Sequence, residues 1–212
     1  MIVATTGTRL KILNLLQKKG DSSVSQLSKY LDLASATVRR HLDVLLRDHL
    51  VDYHEVRKSL GRPEYAYTLT EEGHEVLPKH YQDLLSSILS ELSELTRDDT
   101  NGHDGKELSN LLFLKMAKRA TRSMAEEGYQ ARLSALIEIL AQRDFLPEVE
   151  TLDHKIRIHL HNCPFRSVAQ SQEVICVFDK TLISNMLQVP VEQESCIRKG
   201  DHSCSYTANV EN

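Results

Sequence analysis

Residues 35–50, SATVRRHLDVLLRDHL, decide the fold of the N-terminal part of this chain. Val38, Leu42 and Leu45 recur at helical spacing and predict one buried face. Polar and cationic side chains take the outward positions near the start of this segment: Ser35, Thr37, Arg39 and Arg40. The segment therefore predicts an amphipathic helix with a cationic outer face. We expect Ser35 to cap it, in a position that also permits a contact with a nucleic-acid backbone.

A second helical segment, VSQLSKYL, occupies residues 24–31 immediately upstream. Ser23 and Gln26 are three residues apart at its start, which is the spacing of a capping box. Residues 32–34 leave room for only a tight turn before the next helix begins. Two short helices joined in this way predict a helix-turn-helix, whose second helix would lie in the major groove of DNA.

The segment that follows predicts a β-hairpin. Residues 51–57 and 64–69 alternate as strands do, and KSLGRP at 58–63 joins them. Three cationic side chains crowd the tip of this hairpin: Arg57, Lys58 and Arg62. A basic tip on a hairpin beside a recognition helix predicts a winged helix-turn-helix, whose wing reaches the neighbouring minor groove or the phosphate backbone.

The motifs ATVRRHL (36–42) and GRPEYAYTLTEEG (61–73), with a strand between them, resemble the winged-helix heads of the ArsR/DeoR-like bacterial regulators. The resemblance covers residues 5–75 and implies a double-stranded DNA operator as partner. Chemistry suggests the individual roles. Arg39 and Arg40 can give forked hydrogen bonds to guanine edges or phosphates, and Thr37 suits a phosphate contact.

Charge and composition agree with a head of this kind. Residues 1–68 hold 11 Lys/Arg against 7 Asp/Glu, whereas the remainder holds 15 against 23, so the basic charge is concentrated at the N-terminus. No segment has the pattern of a signal peptide or a membrane span, and we expect a cytoplasmic protein with no membrane partner. We also predict that it is not an enzyme, because no nucleophile–base pair, nucleotide-binding glycine loop or paired carboxylates occur.

The middle of the chain predicts a dimerisation helix over residues 77–97. Apolar side chains recur there every three or four residues, close to a heptad seam: Leu77, Tyr81, Leu84, Ile88, Leu92 and Leu95. We favour a homodimer, which would present two recognition helices to a palindromic operator, although this helix could instead fold back on its own chain. The polar stretch 97–107 marks a boundary. We therefore divide the chain into residues 1–76, 77–105 and 106–212.

The C-terminal part predicts an α+β regulatory domain, with strands, a long helix and two closing strands. All four cysteines of the chain lie in it, at Cys163, Cys176, Cys196 and Cys204. In a cytoplasm that keeps thiols reduced, such a group predicts metal ligands rather than disulfides. Cys176 lies in the first turns of the long helix. The ammonium of Lys180, four residues later, would favour its thiolate, although a solvated lysine is the commoner case.

This tail resembles the SufR family of iron–sulfur-sensing repressors. The resemblance is carried by CPF at 163–165, by the 12 residues between Cys163 and Cys176, and by the 27 between Cys176 and Cys204. It implies a homodimer with a [4Fe–4S] cluster that represses the genes for iron–sulfur cluster assembly. Cys163, Cys176 and Cys204 inherit the ligand role, and Cys196 is either the fourth ligand or a neighbouring thiol.

Other interpretations stay open. Zinc accepts four thiolates or a mixed cysteine and histidine set, and His159, His161 and His202 lie near the cysteines in sequence. The chain would then be a winged-helix regulator with a structural zinc site and a small-molecule effector. Cysteines with no metal at all, and a redox carrier with an attached head, are the remaining alternatives.

Overall fold

The computed structural model describes residues 7–56, 64–122, 128–152 and 154–210. The chain divides into two compact units, residues 1–78 and residues 79–212. Both units combine helices with an antiparallel sheet, which confirms the predicted mixture of helix and sheet. Across the described ranges, none of the helices has the length and apolar character needed to cross a membrane.

The first unit is a small helical domain with a three-stranded sheet. Its elements are α1 (Thr8–Lys19), β1 (Ser22–Ser23), α2 (Val24–Leu31), α3 (Ser35–Arg47), β2 (Val51–Val56), β3 (Glu64–Leu69) and α4 (Glu71–Val76). The strand order is β1-β3-β2, and both pairings are antiparallel. This is the predicted winged helix-turn-helix: α2 and α3 form the two-helix motif, and β2 with β3 forms the wing.

Local signals explain why these elements start where they do. The capping box predicted at the start of α2 is present, since Ser23 accepts from the Gln26 amide and the Gln26 side chain accepts from the Ser23 amide. Thr70 caps α4 by accepting from the amide of Gly73. The predicted core stripe of α3 is fully buried, in a cluster that also includes Ile12, Leu13 and Leu27.

The second unit begins with α5 (Tyr81–Ser93). It continues with α6 (Arg97–Thr100), α7 (Gly105–Thr121), α8 (Tyr129–Gln142), β4 (Pro147–Leu152), β5 (Lys155–Leu160), α9 (Arg166–Ser171), α10 (Ile175–Leu187), β6 (Glu192–Ser195), a 3₁₀ turn (Ile197–Lys199) and β7 (Cys204–Asn209). The sheet has the order β4-β5-β7-β6 and is antiparallel throughout. Helix α9 was not predicted.

One face of this sheet supports the helices. Ile156, Ile158 and Tyr206 point into a core that also contains Phe178 and Leu182 of α10. Helix α10 packs against α7 and α8, and α5 packs against α7. The two layers bury α10 so thoroughly that side chains on most of its surface are shielded from water. Any polar side chain on its inner face is therefore removed from solvent.

The prediction that the six apolar residues of the heptad seam form a single interface was wrong. Leu77 belongs to the core of the first unit. Four of the remaining side chains pack partly buried against the core of the second unit: Tyr81, Leu84, Ile88 and Leu95. This part of the helix folds back on its own chain, the alternative that the sequence left open, because α7 needs an apolar cover. Leu92 alone of the six is exposed, at 49%.

The polar stretch 97–107 is also more ordered than its composition suggests. Helix α6 begins with a capping box between Thr96 and Asp99, and α7 begins with another between Asp104 and Glu107. The division of the chain into units falls before α5, at residues 78 and 79. Helices α5 and α6 therefore fold with the C-terminal unit instead of forming a separate connecting segment.

Candidate metal centre and nucleic-acid interface

Helix α3 presents its polar side chains on one exposed face. Thr37, Arg39 and Arg40 are exposed, whereas Val38 between them is completely buried. The alternation follows from the 3.6-residue period of a helix whose apolar stripe is fixed in the core. The guanidinium groups therefore have the freedom to reach a partner outside the domain.

Ser35 does not cap α3, contrary to our expectation. The capping position is occupied by Ala34, which makes no side-chain hydrogen bond, and Ser35 is the first helical residue. The Ser35 hydroxyl instead accepts a hydrogen bond of 3.2 Å from the Ser28 hydroxyl on α2. It is exposed at the start of α3, where a backbone contact with nucleic acid stays possible.

The wing carries an aromatic face that the sequence analysis missed. Tyr53 lies opposite Tyr67 in the strand register, and the ring of Tyr53 also meets that of Tyr65 edge-on, with centroids 5.1 Å apart. Burial raises the pKa of Tyr67, an effect that the carboxylate of Asp43 on α3 increases and the guanidinium of Arg39 opposes. The wing face therefore adjoins the outer face of α3. Strand alternation of the tyrosines could have revealed it.

The three basic residues predicted at the wing tip, Arg57, Lys58 and Arg62, lie outside the described residues. Their proposed contacts with DNA stay predictions.

In the C-terminal unit, the four cysteines converge on one cavity. Cys163, Cys176, Cys196 and Cys204 all line it, and the space that it encloses is small, about 10 Å³. All four are free thiols. Cys196 and Cys204 are buried, and the other two are half-buried. Residues up to 41 positions apart in the chain thus meet at one place.

Each cysteine is positioned by a different local structure. Cys163 follows β5, and Cys176 is the second residue of α10. Cys196 precedes the 3₁₀ turn, and Cys204 opens β7. The loop between the last two is fixed by Gly200, whose φ of 94° favours glycine, and by a 2.7 Å hydrogen bond from the Cys196 amide to Asp201.

Backbone amides stabilise two of the sulfur atoms. The amide of Ile197 donates to Sγ of Cys204 across 3.3 Å. A hydrogen bond from the backbone of Phe165 acts on the Cys163 sulfur and lowers its pKa, against the larger effect of burial. Amide donors of this kind lower the energy of a sulfur that carries negative charge, and they are a recurrent feature of cysteine-ligated centres.

Burial favours the protonated form of three of these thiols, those of Cys163, Cys176 and Cys204. It raises the pKa of Cys163 and of Cys176 to about 12, and the carboxylate of Asp179 raises both further. The pKa of Cys204 is raised for the same main reason. Because a metal binds the thiolate, a cation entering the cavity would have to displace these protons.

Asp179 is a cavity residue that the sequence analysis missed. It lies three residues after Cys176 on α10, is only 4% exposed and lines the same cavity as the cysteines. Burial raises its pKa to about 7, an effect that Arg143 opposes. The signal in the sequence was a carboxylate one helical turn from a cysteine, inside an apolar stripe.

Of the two alternatives for Lys180, a thiolate partner or a solvated lysine, the structure has the solvated one. Its side chain is exposed, and the cation that lowers the pKa of Cys176 is Arg198, which lines the cavity. Arg198 forms an ion pair of 2.9 Å with Glu173. The buried carboxylate of Asp179, not an ammonium, is the ionisable group beside Cys176 on α10.

The three candidate histidines lie close to one another. The rings of His159 and His161 stack with centroids 5.9 Å apart, and His161 lies equally far from His202. Nε2 of His161 is 3.1 Å from a carboxylate oxygen of Glu148. None of the three is among the described residues that line the cavity. Throughout the described chain, no three histidine, cysteine, aspartate or glutamate side chains are arranged to hold a single metal ion.

Two protein families match this chain, one in each unit. Residues 6–53 match a family described as "Bacterial regulatory protein, arsR family". Residues 105–209 match a family described as "Methanogen output domain 1". Neither description names an enzyme. The N-terminal unit is thus an ArsR-type winged helix-turn-helix, and the protein is a DNA-binding transcriptional regulator.

The chain resembles two solved structures only weakly. A transcriptional regulator homologue from Pyrococcus horikoshii OT3 is 29% identical over 41% of this chain and 80% of that chain, with a TM-score of 0.29. PadR of Bacillus subtilis, solved in complex with operator DNA, is 14% identical over 84% of this chain and 90% of that chain, with a TM-score of 0.30. No curated protein matches significantly.

Proposed function

We propose that this regulator is a homodimeric, cytoplasmic repressor of iron–sulfur cluster assembly genes, whose operator affinity depends on a [4Fe–4S] cluster. Cys163, Cys176 and Cys204 would hold the cluster in the C-terminal unit, with Cys196 beside them. The observation that carries the proposal is the meeting of all four cysteines at one cavity.

The donor set fits such a group. Thiolates are the usual ligands of iron–sulfur clusters, and amide hydrogen bonds to sulfur adjust their stability and potential. The four cysteine thiols line this cavity, and so does Ile197, whose amide donates to the sulfur of Cys204. When bound, a cluster supplies redox and oxygen sensitivity. The protein's own residues supply the thiols, the amides of Phe165 and Ile197, and a water-poor surrounding that keeps the cluster apart from solvent.

DNA recognition would use α3 and the wing. Arg39 and Arg40 are exposed on the outer face of α3 with Thr37, where they can reach base edges and phosphates. Ser35 could add a backbone contact, and Arg57, Lys58 and Arg62 remain our candidates at the wing tip. The tyrosines of the wing face would lie beside the same groove.

An exposed apolar stripe on α5 supports the dimer. Leu85, Leu89 and Leu92 follow one another at helical spacing and are each about half exposed, at 57%, 57% and 49%. Their neighbours on the other side of α5 cover the core of the same chain. A second copy of this helix would bury the stripe and present two α3 helices to a palindromic operator.

Anaerobic purification tests the proposal. We expect a brown protein with iron and acid-labile sulfide in equal amounts, and an operator gel shift that weakens when the cluster is removed. The direction of that response comes from the family resemblance. A colourless protein with stoichiometric zinc, or equal operator affinity with and without the cluster, would contradict it.

A second candidate is a regulator with structural zinc and a small-molecule effector. It is favoured by another cavity in the C-terminal unit, of about 160 Å³, whose lining includes Phe113, Phe165 and Phe178. His80 and Arg143 also line it, and the Arg143 guanidinium lies 5.4 Å from the Phe178 ring centre. If zinc is found, filling this cavity by Ser87→Trp should abolish the response of the purified regulator to cell extract.

A further inference from the structure

The buried carboxylate of Asp179 has no role in the thiol centre described so far. Its Oδ1 atom is fully buried and has no hydrogen-bond partner among the described residues. The residue is 4% exposed and lines the cavity of the four cysteines. Since nearly all buried polar atoms in proteins are hydrogen-bonded, an unpartnered carboxylate oxygen on a side chain that lines a cavity needs an explanation.

The neighbouring cations do not supply one. Arg143 influences Asp179 electrostatically, but its guanidinium lies over the ring of Phe178. Arg198 lines the same cavity and forms an ion pair with the exposed Glu173. Within the described chain, no ion pair joins either arginine to Asp179. A carboxylate in this position is costly in the metal-free protein.

The local geometry is suited to shared ligation. Cys176 and Asp179 are separated by three residues on α10, so they lie on the same side of the helix one turn apart. Both line the cavity. Two donors from successive turns of one rigid, buried helix can hold the same centre without any change in backbone.

We propose that Asp179 is the oxygen ligand that completes the cluster site with Cys163, Cys176 and Cys204. Cys196 is then a neighbouring thiol. The inference rests on the proposed function, because it assumes the cluster. It resolves the choice of fourth ligand on physical grounds: a neutral thiol such as Cys196 is stable in an apolar core, whereas a buried carboxylate requires a counter-charge.

Oxygen ligation has a chemical consequence. Carboxylate is a harder and weaker ligand for iron than thiolate, so the iron bound by Asp179 is the one released first. Removing one electron from the cluster with ferricyanide and releasing one Fe²⁺ leaves a cluster of three irons and four sulfides. That product has its own electron paramagnetic resonance signal, which does not depend on DNA binding.

The experiment compares the full-length protein with three variants after anaerobic reconstitution: Asp179→Cys, Asp179→Asn and Cys196→Ser. We expect the original protein to lose one iron readily to ferricyanide. Asp179→Cys should slow that loss at least about tenfold. Asp179→Asn should lower the iron and sulfide content, whereas Cys196→Ser should behave as the original does.

Folding is controlled with the metal-free proteins. Asp179→Asn has the same shape without the charge, so its metal-free form should unfold at the same or a higher urea concentration. If both Asp179 variants bind and lose iron as the original does, or if Cys196→Ser is the variant that changes, Asp179 is not the ligand. Should the original protein take up no iron and sulfide, the proposed function itself fails.

Discussion

Arg39 and Arg40 show how one residue step separates two roles. Neighbours on a helix leave it about 100° apart, so the two guanidinium groups cannot meet the same base. Both are exposed, and Arg39 lies close enough to the wing to lower the pKa of Tyr67. Arg39 is therefore positioned on the side of α3 that adjoins the wing.

Replacing either arginine by alanine should weaken operator binding by about 1–3 kcal/mol. The variant that loses a base contact should also show a weaker preference for the operator sequence. The variant that loses a phosphate contact should bind all DNA sequences less tightly, and its DNA affinity should depend less on salt concentration. Gel shifts at several salt concentrations distinguish the two. Arg47→Ala is the matched control, because Arg47 lies at the far end of α3 beside Asp48. An equal loss in the control would contradict a specific role.

His80 provides a pH-dependent contribution to stability. Hydrogen bonds to Asp83 (2.8 Å) and Asp144 (2.9 Å) raise its pKa above the usual value. A group with a raised pKa stabilises the fold fully below its unfolded value, about 6.5, and loses that contribution as the pH rises through the folded value. His80→Gln should therefore destabilise the protein more at about pH 5.5 than at about pH 8.5.

Urea unfolding of both proteins at the two pH values measures this difference. Asp144→Asn should remove part of the same pH dependence, since it removes the negative charge of one of the two acceptors. A stability difference that stays constant or grows with pH would show that protonated His80 contributes nothing.

At the scale of elements, the sequence predicted what depends on local periodicity. The Ser23 and Gln26 box and the α3 core stripe involve only residues a few positions apart, and both are present. Which surface covers the apolar side chains of α5 depends on tertiary packing. The heptad pattern of α5 therefore could not distinguish a partner chain from the chain's own α7. Similarly, Asp179 and Lys180 are both within a turn of Cys176, and only tertiary packing decides which one faces the core.

The start of α4 illustrates a contact that the sequence pattern did not predict. A Cβ atom at Gly73 would lie 2.0 Å from the carbonyl oxygen of Leu50, which is backbone and cannot move aside. Gly73→Ala should therefore destabilise the N-terminal unit by about 2 kcal/mol or more, despite the better helix propensity of alanine. Gly105→Ala, where nothing lies within 4 Å, is the control for urea unfolding. Equal stabilities of the two variants would contradict the close approach.

The exposed stripe of α5 should control assembly. Changing Leu85 and Leu89 together to lysine places charges where two helices would meet, so the protein should become monomeric in sedimentation equilibrium. Leu114→Lys is the control, because Leu114 is an exposed leucine on α7, at 43%. A dimer that survives the double change, or is lost in the control, would place the interface elsewhere.

At the scale of the whole molecule, the proposal requires that the cluster and the operator affect each other's binding. Coupling between two sites is reciprocal, so a cluster that strengthens operator binding must itself be held more tightly on DNA. We expect operator affinity to fall by a factor of about 5 to 150 when the cluster is removed. Operator DNA should in turn raise the chelator concentration that removes half of the iron.

The effect of the cluster on operator affinity and the effect of operator DNA on iron retention can both be measured on one full-length preparation. A scrambled operator is the control. The variant carrying Cys163→Ser, Cys176→Ser and Cys204→Ser should match the cluster-free protein in operator affinity, provided that circular dichroism shows the same helix content. Retention of full affinity by this variant would mean that the thiols do not communicate with the head. Protection of iron by scrambled DNA as well as by the operator would mean that charge alone, and not recognition by α3, is responsible.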